Sequence, residues 1–437
     1  MLTDIQTAWP TFALTDVFDV RSGLSKPGSE FGSGFPFVTF KDVLDNYFLP
    51  ETLGSLVRSS ETERELCDVR RGDVFLTRTS ETQEELGMSS IALRDYESAT
   101  FNGFTKRLRP RNAHQIVPEY AAYYFRSPQF REEMSAFSSL STRASLNNDM
   151  LSRLKIVLPD RKTQEEIGYT LRALDNKIEQ NSRTGRTLDG IARATFKAWF
   201  VDFEPVKAKA AGHTSFPGMP CAAFAALPNR LTDSAQGLVP YGWTVRTLAE
   251  VVDINPPRRL SKGQDAPYLD MKNMPIDGHA PDAWERRPHG SGMRFINGDT
   301  LVARITPCLE NGKTAYIDFL EDGEVAWGST EYIVLRPKSP LPEVYAYCLA
   351  RTPEFRDFAI QNMTGTSGRQ RVAASALEHY HVAIPDAVTA AAFGDVARPL
   401  FQCIRVGKTE SSKLAKLRDY LLPRLLSGAA RVASKGA

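Results

Sequence analysis

The sequence has little of what would tie a protein to a membrane, to an oxidising compartment or to a strong overall charge. Only five of its 437 residues are cysteines, and their spacing forms no pairs, which argues against a disulfide framework and indicates the reduced thiols of a cytoplasmic protein. No apolar run approaches the ~18 residues of a membrane span, and no signal peptide is visible at the start of the sequence. The net charge is only +2, so contacts with nucleic acid must come from local clusters of basic residues.

The strings that resemble enzyme signatures are incomplete. Asn255-Pro-Pro-Arg258 contains part of the adenine-methylating signature, but an arginine stands where that chemistry needs an aromatic residue to stack on the flipped base. Asn311-Gly-Lys-Thr314 resembles the end of a phosphate-binding loop, but Pro307 occupies the position of its first glycine. His379 and His381 have no further ligands at zinc spacing. The sequence therefore predicts no catalytic residue and no metal site.

The chain contains an internal repeat. A single offset of 226 residues aligns an ordered series of landmarks, and such a series indicates duplication. The aligned pairs are Gly72-Asp73 with Gly298-Asp299, Arg78 with Arg304, Leu151 with Leu377, and Pro159-Asp160 with Pro385-Asp386. Each copy begins with short apolar runs bounded by Gly, Pro, Asn and Asp, which indicate strands, and helical patches lie between these runs.

Each copy ends in a heptad pattern. Its positions step alternately by four and three residues from Ile167 to Trp199, and the same steps recur from Phe393 to Leu425. These positions form a seam along one side of each helix, and a seam that continues over more than four heptads is typical of a supercoiled helix pair. The apolar residues that we expect to hold this pair together are Leu171, Leu174, Ile178, Leu188, Trp199, Leu400, Ile404, Leu414, Leu421 and Leu425.

The middle of each seam is small and polar. Asn181 and Gly185 interrupt the first seam, and Gly407 and Ser411 interrupt the second. In an antiparallel pair the two weak layers would face each other and leave both apolar ends matched, so we predict an intramolecular antiparallel coiled coil. The alternative is two separate amphipathic helices on two separate domains.

Two polar loops recur in each copy and are the candidates for contacts with DNA. Arginine and glutamine can bind base edges through two hydrogen bonds, and hydroxyl groups add short contacts. The alternative for each loop is an exposed polar turn, but recurrence at one offset favours contact with DNA. The candidates are Arg78, Thr79, Ser80, Thr142 and Arg143 in the first copy, and Arg304, Thr306, Asn311, Lys313, Ser367, Arg369, Gln370 and Arg371 in the second.

Five strings carry a resemblance to a known family. They are Leu174-Asp-Asn-Lys-Ile178, Phe196-Lys-Ala-Trp-Phe-Val-Asp-Phe-Glu-Pro205, Asn311-Gly-Lys313, Thr330-Glu-Tyr332 and Ser367-Gly-Arg-Gln-Arg-Val372. Together with the two-copy layout, they resemble the specificity (S) subunits of type I restriction-modification enzymes. The first copy departs from the second where Arg143-Ala-Ser145 stands in place of Arg369-Gln-Arg371.

The resemblance implies an α+β fold. Two pseudo-repeated α/β target-recognition domains would be separated by an antiparallel coiled coil of two long helices. The expected order is a first domain, a central helical spacer, a linker rich in Pro, Gly and Ala, a second domain and a C-terminal helical spacer. Their boundaries are placed at residues 1–160, 161–204, 205–240, 241–386 and 387–430.

The resemblance also implies a non-catalytic subunit. Each domain would bind half of a bipartite site in double-stranded DNA, while the helices dock two methyltransferase (M) subunits and restriction/translocase (R) subunits join them. No cofactor is expected on this chain, because S-adenosylmethionine, ATP and Mg²⁺ would be bound by these partners. Two alternatives stay open: a stand-alone DNA-binding regulator with two reading heads, and a degenerate adenine methyltransferase, against which the lack of a Gly-rich cofactor loop argues.

Overall fold

Each heptad pattern forms one long helix. In the computed structural model these helices are Arg161–Phe200 and Ala387–Ser427. Pro399 and Pro423 lie inside the second helix, and both are exposed. A proline inside a helix removes one backbone hydrogen bond and costs about 3 kcal/mol. The helix continues through both prolines because the packing of its opposite face stabilises it.

The chain divides into two units, and each contains segments of both long helices. The first unit comprises residues 1–178 and 412–437, and the second comprises residues 179–411. The residues that the structure describes are 9–79, 83–138, 145–281, 283–366 and 368–432. Within these ranges, no helix is long and apolar enough to cross a membrane.

The first unit consists of short strands and helices around its part of the long helices. Two of these helices begin with a capping box, in which Thr39 pairs with Asp42 and Ser60 pairs with Glu63. The strands are Thr11–Ala13, Phe18–Ser22, Phe31–Val38, Ser55–Val57, Val74–Thr77, Ser89–Ile91, Thr100–Phe101, Thr105–Pro110 and Lys155–Val157. The shorter helices are Leu14–Val17, Phe40–Asp45, Glu61–Leu66, Pro118–Tyr124, Pro128–Ser138 and Asn148–Arg153, with 3-10 turns at Gly28–Glu30 and Gln83–Glu85.

The second unit has a similar composition of elements. Its strands are Leu231–Ser234, Gly237–Pro240, Thr244–Thr247, Val252–Ile254, Asp265–Leu269, Glu285–Pro288, Met293–Phe295, Thr300–Ala303, Thr314–Tyr316, Ala326–Gly328, Tyr332–Pro337, Met363–Thr364, Arg371–Val372 and His381–Ile384. Its shorter helices are Glu204–Ala210, Cys221–Ala226, Leu248–Val251, Val344–Ala350, Pro353–Gln361 and Ala374–Leu377, with a 3-10 turn at Met271–Asn273.

Both units contain the same antiparallel four-stranded sheet. Its strand order is Phe18–Ser22, Thr105–Pro110, Val74–Thr77 and Ser89–Ile91 in the first unit. In the second unit the order is Val252–Ile254, Tyr332–Pro337, Thr300–Ala303 and Thr314–Tyr316. A buried aspartate directly precedes the third strand of each sheet, Val74–Thr77 or Thr300–Ala303, which we call the central strand. Asp73 pairs with Arg109 at 2.7 Å, and Asp299 pairs with Arg336 at 3.4 Å. The duplication read from the sequence is therefore present in the fold.

The two long helices run antiparallel in the first unit. Leu171 of the first helix is fully buried in the same apolar cluster as Leu425 of the second. One turn farther along the first helix, the carboxylate of Asp175 accepts hydrogen bonds of 2.6 Å from the Arg418 guanidinium and from the Tyr123 hydroxyl. Burial and the nearby Asp175 raise the pKa of Tyr123, so this hydroxyl stays protonated and donates.

The helices have the same antiparallel sense in the second unit. The rings of Phe196 and Trp199, near the end of the first helix, pack against Phe393, near the start of the second, at centroid distances of 5.6 and 6.1 Å. In the middle of the seam, the side-chain amide of Asn181 donates to the Gly407 carbonyl at 3.3 Å. The two polar layers therefore face each other. The predicted antiparallel coiled coil is confirmed, and the alternative of two unpaired helices is wrong.

We predict that Arg418→Ala destabilises the first unit. Asp175 would keep the hydrogen bond from Tyr123 but lose its cationic partner, and the two side chains of the ion pair are only 18% and 21% exposed. Breaking such a pair leaves an uncompensated charge, so the expected loss is about 2–4 kcal/mol of unfolding free energy, measured by urea denaturation. The control is Arg424→Ala, an exposed position on the same helix, with an expected change within about 0.5 kcal/mol. Equal losses in both variants would contradict the prediction.

Candidate nucleic-acid interface

In the first unit, the residues that follow the strand Val74–Thr77 meet the segment that begins at Ser145. The backbone N–H of Arg78 donates to the Phe104 carbonyl at 2.7 Å, and the Arg78 carbonyl accepts from the Leu146 N–H at 2.8 Å. Thr79 forms an antiparallel bridge with Ser145. Arg78 and Thr79 therefore lie beside Ser145 and Leu146, although the two segments are far apart in sequence.

The second unit repeats this junction. The N–H of Arg304 donates to the Glu331 carbonyl at 3.0 Å, and the Arg304 carbonyl accepts from the Val372 N–H at 2.9 Å. Ile305 forms an antiparallel bridge with Arg371. The same backbone contacts thus recur at Arg78 and at Arg304, and in the second unit they join the two predicted polar loops. The sequence predicted these two loops of the second unit separately, and it did not predict that they meet.

Four of the predicted contact residues lie outside the described residues. They are Ser80, Thr142, Arg143 and Ser367. The described candidates in the first unit are therefore Arg78 and Thr79. Those in the second unit are Arg304, Thr306, Asn311, Lys313, Arg369, Gln370 and Arg371. Their contact with DNA stays a prediction.

Two of the predicted contact residues already have partners inside the protein. The Arg371 guanidinium pairs with both carboxylate oxygens of Glu331, at 2.8 to 3.0 Å, and this partner raises the pKa of Arg371. The Lys313 ammonium donates to the Met271 carbonyl at 2.7 Å. Both cations connect segments of the fold, so we expect them to position the interface rather than to bind bases.

Arg369 and Gln370 lie in the loop of a two-stranded hairpin. Arg369 is exposed and Gln370 is half-buried. The N–H of Arg369 donates to the Thr366 carbonyl, and the carbonyl of Gln370 accepts from the Thr306 N–H, both at 3.0 Å. Gly365 has a φ of 124°, which glycine adopts most readily. The Arg369 guanidinium is therefore exposed on a loop whose backbone is held at two points.

Arg78 and Arg304 keep unused capacity to donate hydrogen bonds. Both side chains are half-buried, and their buried Nε atoms have no hydrogen-bond partner among the described residues. The buried hydroxyl of Thr306 also lacks a partner within these residues, and Asn311 is exposed in the following turn. An arginine side chain has five N–H donors, and those of its terminal nitrogens can bind a phosphate or a base edge.

Sequence reasoning missed a buried cation at this junction. Lys106 is 7% exposed, and its ammonium donates to the side-chain oxygen of Asn148 at 3.0 Å. Burial and the nearby positive charge of Arg78 lower the pKa of Lys106. Its neighbours Arg107 and Arg109 instead pair with aspartates of the same unit. The sequence shows that the strand Thr105–Pro110 is rich in cations. Only the contacts in the structure distinguish Lys106, which lies at the junction, from the two arginines, which form ion pairs within the fold.

The string Asn255-Pro-Pro-Arg258, which contains part of a methyltransferase signature, has a structural role. The Arg258 guanidinium pairs with the buried Asp299 at 3.0 Å, and the side-chain oxygen of Asn255 accepts from the Val334 N–H at 2.9 Å. Among the described residues, no three His, Cys, Asp or Glu side chains group so that they could hold a metal ion.

Known proteins with similar sequences and folds share one description. Residues 7–185 match the family model of the type I restriction modification DNA specificity domain. The type I restriction enzyme MjaIX specificity subunit of Methanocaldococcus jannaschii is 24% identical, over 97% of this chain and 94% of its own. The HindI specificity subunit of Haemophilus influenzae is 23% identical, over 90% of this chain and 93% of its own. The crystal structure of the S subunit from M. genitalium has the same fold, with a TM-score of 0.55, 13% identity and 97% coverage of both chains.

We predict that Arg371→Ala loosens the hairpin of the second unit without unfolding it. The change removes the ion pair with Glu331, so the N–H groups of Val372 and Thr306 should exchange with solvent a few-fold faster in hydrogen–deuterium exchange. Arg369→Ala is the matched control, because the described contacts of Arg369 involve only its backbone. Unchanged exchange in Arg371→Ala would show that the ion pair does not hold the hairpin.

Proposed function

We propose that this chain, which belongs to the family of specificity subunits of type I restriction-modification enzymes, recognises a bipartite DNA target and catalyses no reaction itself. Each unit binds one half of the target, and unread base pairs separate the two halves. The chain also brings methyltransferase and restriction subunits to that target.

The observation that supports this proposal is the backbone junction that recurs at Arg78 and Arg304. The carbonyl of Arg78 accepts from Leu146 in the first unit, and that of Arg304 accepts from Val372 in the second. The backbone geometry is the same, but the side chains around it differ. Two similar frames with different side chains are what recognition of two different half-sites requires, because base edges are distinguished by donor, acceptor and methyl positions.

The partners supply the chemistry in this proposal. Two methyltransferase subunits bind S-adenosylmethionine and accept the flipped adenines, and the restriction subunits use ATP and Mg²⁺. This chain binds none of these cofactors. It works in the cytoplasm, where these partners and their DNA substrate meet.

The paired helices set the gap between the half-sites in this proposal. A helix of 40 residues extends about 60 Å, and one turn of DNA is about 34 Å. The seam of apolar residues fixes the register of the two helices. The length of the pair therefore determines how many base pairs remain unread.

The proposal is tested by mapping modified adenines in cells that express this chain with the methyltransferase subunit encoded beside it. Single-molecule sequencing should give one motif with two half-sites at a constant spacing. Arg369→Ala should relax one half-site, and Arg78→Ala should relax the other, since loss of a bidentate base contact costs about 1–3 kcal/mol of discrimination. The Arg424→Ala variant, altered outside both junctions, should keep the motif.

The outcome also separates this proposal from the alternatives. Equal relaxation of both half-sites by either variant would contradict the assignment of one unit to each half. A chain that binds DNA tightly alone, with no methyltransferase and no modified motif, would be a regulator instead.

We predict that one heptad inserted into each long helix, beside Asn181 and beside Gly407, lengthens the unread spacer and leaves both half-sites unchanged. A heptad adds about 10.5 Å of helix, which corresponds to about three base pairs at about 3.4 Å each. The matched control inserts four residues into one helix only, which breaks the register of the seam and should abolish methylation. An unchanged spacer after the paired insertion would rule out the helices as the ruler.

A further inference from the structure

Phe104 is an exposed aromatic side chain at the junction of the first unit. It is 61% exposed, the highest value among the large apolar residues that the structure describes as exposed. Its carbonyl accepts the hydrogen bond from the N–H of Arg78 at 2.7 Å. Single exposed apolar residues are common on protein surfaces, so the place of Phe104 beside Arg78 is what marks it as a candidate contact.

The turn that carries Phe104 is tightly held. Its N–H donates to the side-chain oxygen of Asn102 at 2.6 Å, and the N–H of Gly103 donates to the Leu24 carbonyl at 2.7 Å. A Cβ atom at position 103 would lie 2.4 Å from the Ser25 hydroxyl and 3.0 Å from the Leu24 carbonyl oxygen. A side chain at position 103 would crowd the Leu24 carbonyl oxygen, and the hydrogen bonds of this turn hold the backbone that presents Phe104.

The internal repeat shows what stands at this position in the other unit. The counterpart of Phe104 is Glu331, since these two carbonyls accept from Arg78 and Arg304 respectively. Glu331 pairs with Arg371, whereas the counterpart of Arg371 in the first unit is the small Ser145. The second unit thus has an ion pair where the first has an aromatic ring and a hydroxyl.

A second pair of positions differs in the same place. In the strand register, Lys106 lies opposite Leu76 and Ile333 lies opposite Val302. Since Leu76 and Val302 are equivalent in the repeat, Lys106 and Ile333 are equivalent as well. Ile333 is fully buried in an apolar cluster, whereas Lys106 is a buried cation next to Arg78. The first unit therefore combines positive charge and an apolar ring at one junction.

We propose that Phe104 is a base contact of the first unit and packs against the C5-methyl group of a thymine in the major groove. This inference rests on the proposed function of the junction. Arg78 supplies the neighbouring polar contact, and Lys106 adds positive charge that favours the phosphate-rich surface. Phenylalanine packed on a thymine methyl group distinguishes an A·T pair from the others without a hydrogen bond. Glu331 gives the second unit no such contact, so the two half-sites are read by different chemistry.

The test replaces single thymines by uracil, which removes only the C5-methyl group. Duplexes carry the motif found by adenine mapping, and each thymine of the half-site relaxed by Arg78→Ala is replaced in turn. Binding of the complex of this chain with its methyltransferase subunits is measured for the unaltered chain and for Phe104→Ala. One uracil should weaken binding of the unaltered chain by about fourfold, the worth of one buried methyl group. The same uracil should leave binding of the Phe104→Ala complex unchanged.

Two further variants control this experiment. Phe104→Leu keeps an apolar contact and should keep part of the sensitivity to uracil. Phe12→Ala removes another exposed phenylalanine of the same unit, on a strand of a different sheet, and should bind both duplexes as the unaltered chain does.

The remaining outcomes overturn the inference. If none of the uracil substitutions weakens binding of the unaltered complex, no thymine methyl group of this half-site is bound. A uracil effect that persists in Phe104→Ala assigns the methyl contact to another residue. In both cases Arg78→Ala still relaxes the half-site, so the proposed function survives. If Arg78→Ala changes no half-site, the proposed function of the junction has failed instead.

Discussion

Both units depend on the antiparallel pairing of the two long helices. In the first unit, Leu171 shares its apolar cluster with Leu425, and Asp175 binds both Arg418 and Tyr123. In the second unit, aromatic rings from the two helices pack against each other. Each core therefore includes a helix segment that arrives from far along the chain. Neither unit can complete its core until the last helix has returned to pair with the first.

The polar middle of the seam makes this pairing specific. The amide of Asn181 bonds the Gly407 carbonyl, the Glu410 carboxylate and the Ser411 hydroxyl. A polar side chain at a seam position costs stability, but it leaves one register in which its hydrogen bonds are made. Gly407 lies directly against Asn181, since a Cβ atom at position 407 would be in van der Waals contact with the Asn181 side chain, at 3.6 Å from its Cβ. A register fixed in this way keeps the length of the pair constant, which the proposed spacer role of the helices requires.

At the duplicated junction, the backbone contacts are the same in the two units, but the side chains differ. The backbone contacts of Arg78 and Arg304 are the same, and so are the buried aspartates that precede both central strands. The side chains at equivalent positions, such as Phe104 and Glu331, have diverged. Because backbone contacts maintain the frame, side chains can change without loss of the fold. In the proposed function, this arrangement lets one duplicated scaffold recognise two different half-sites.

The sequence by itself determined the duplication, the two long helices and their antiparallel sense, because heptad steps and a polar midpoint are local patterns with one favourable packing. It also predicted the polar loops, but it could not separate free side chains from occupied ones. Arg371 is held by Glu331, forty residues earlier in the chain, and Lys313 by a carbonyl of an earlier turn, whereas Phe104 is left exposed. Only the tertiary structure decided these roles, because the partners of a side chain depend on which distant segments the fold brings beside it.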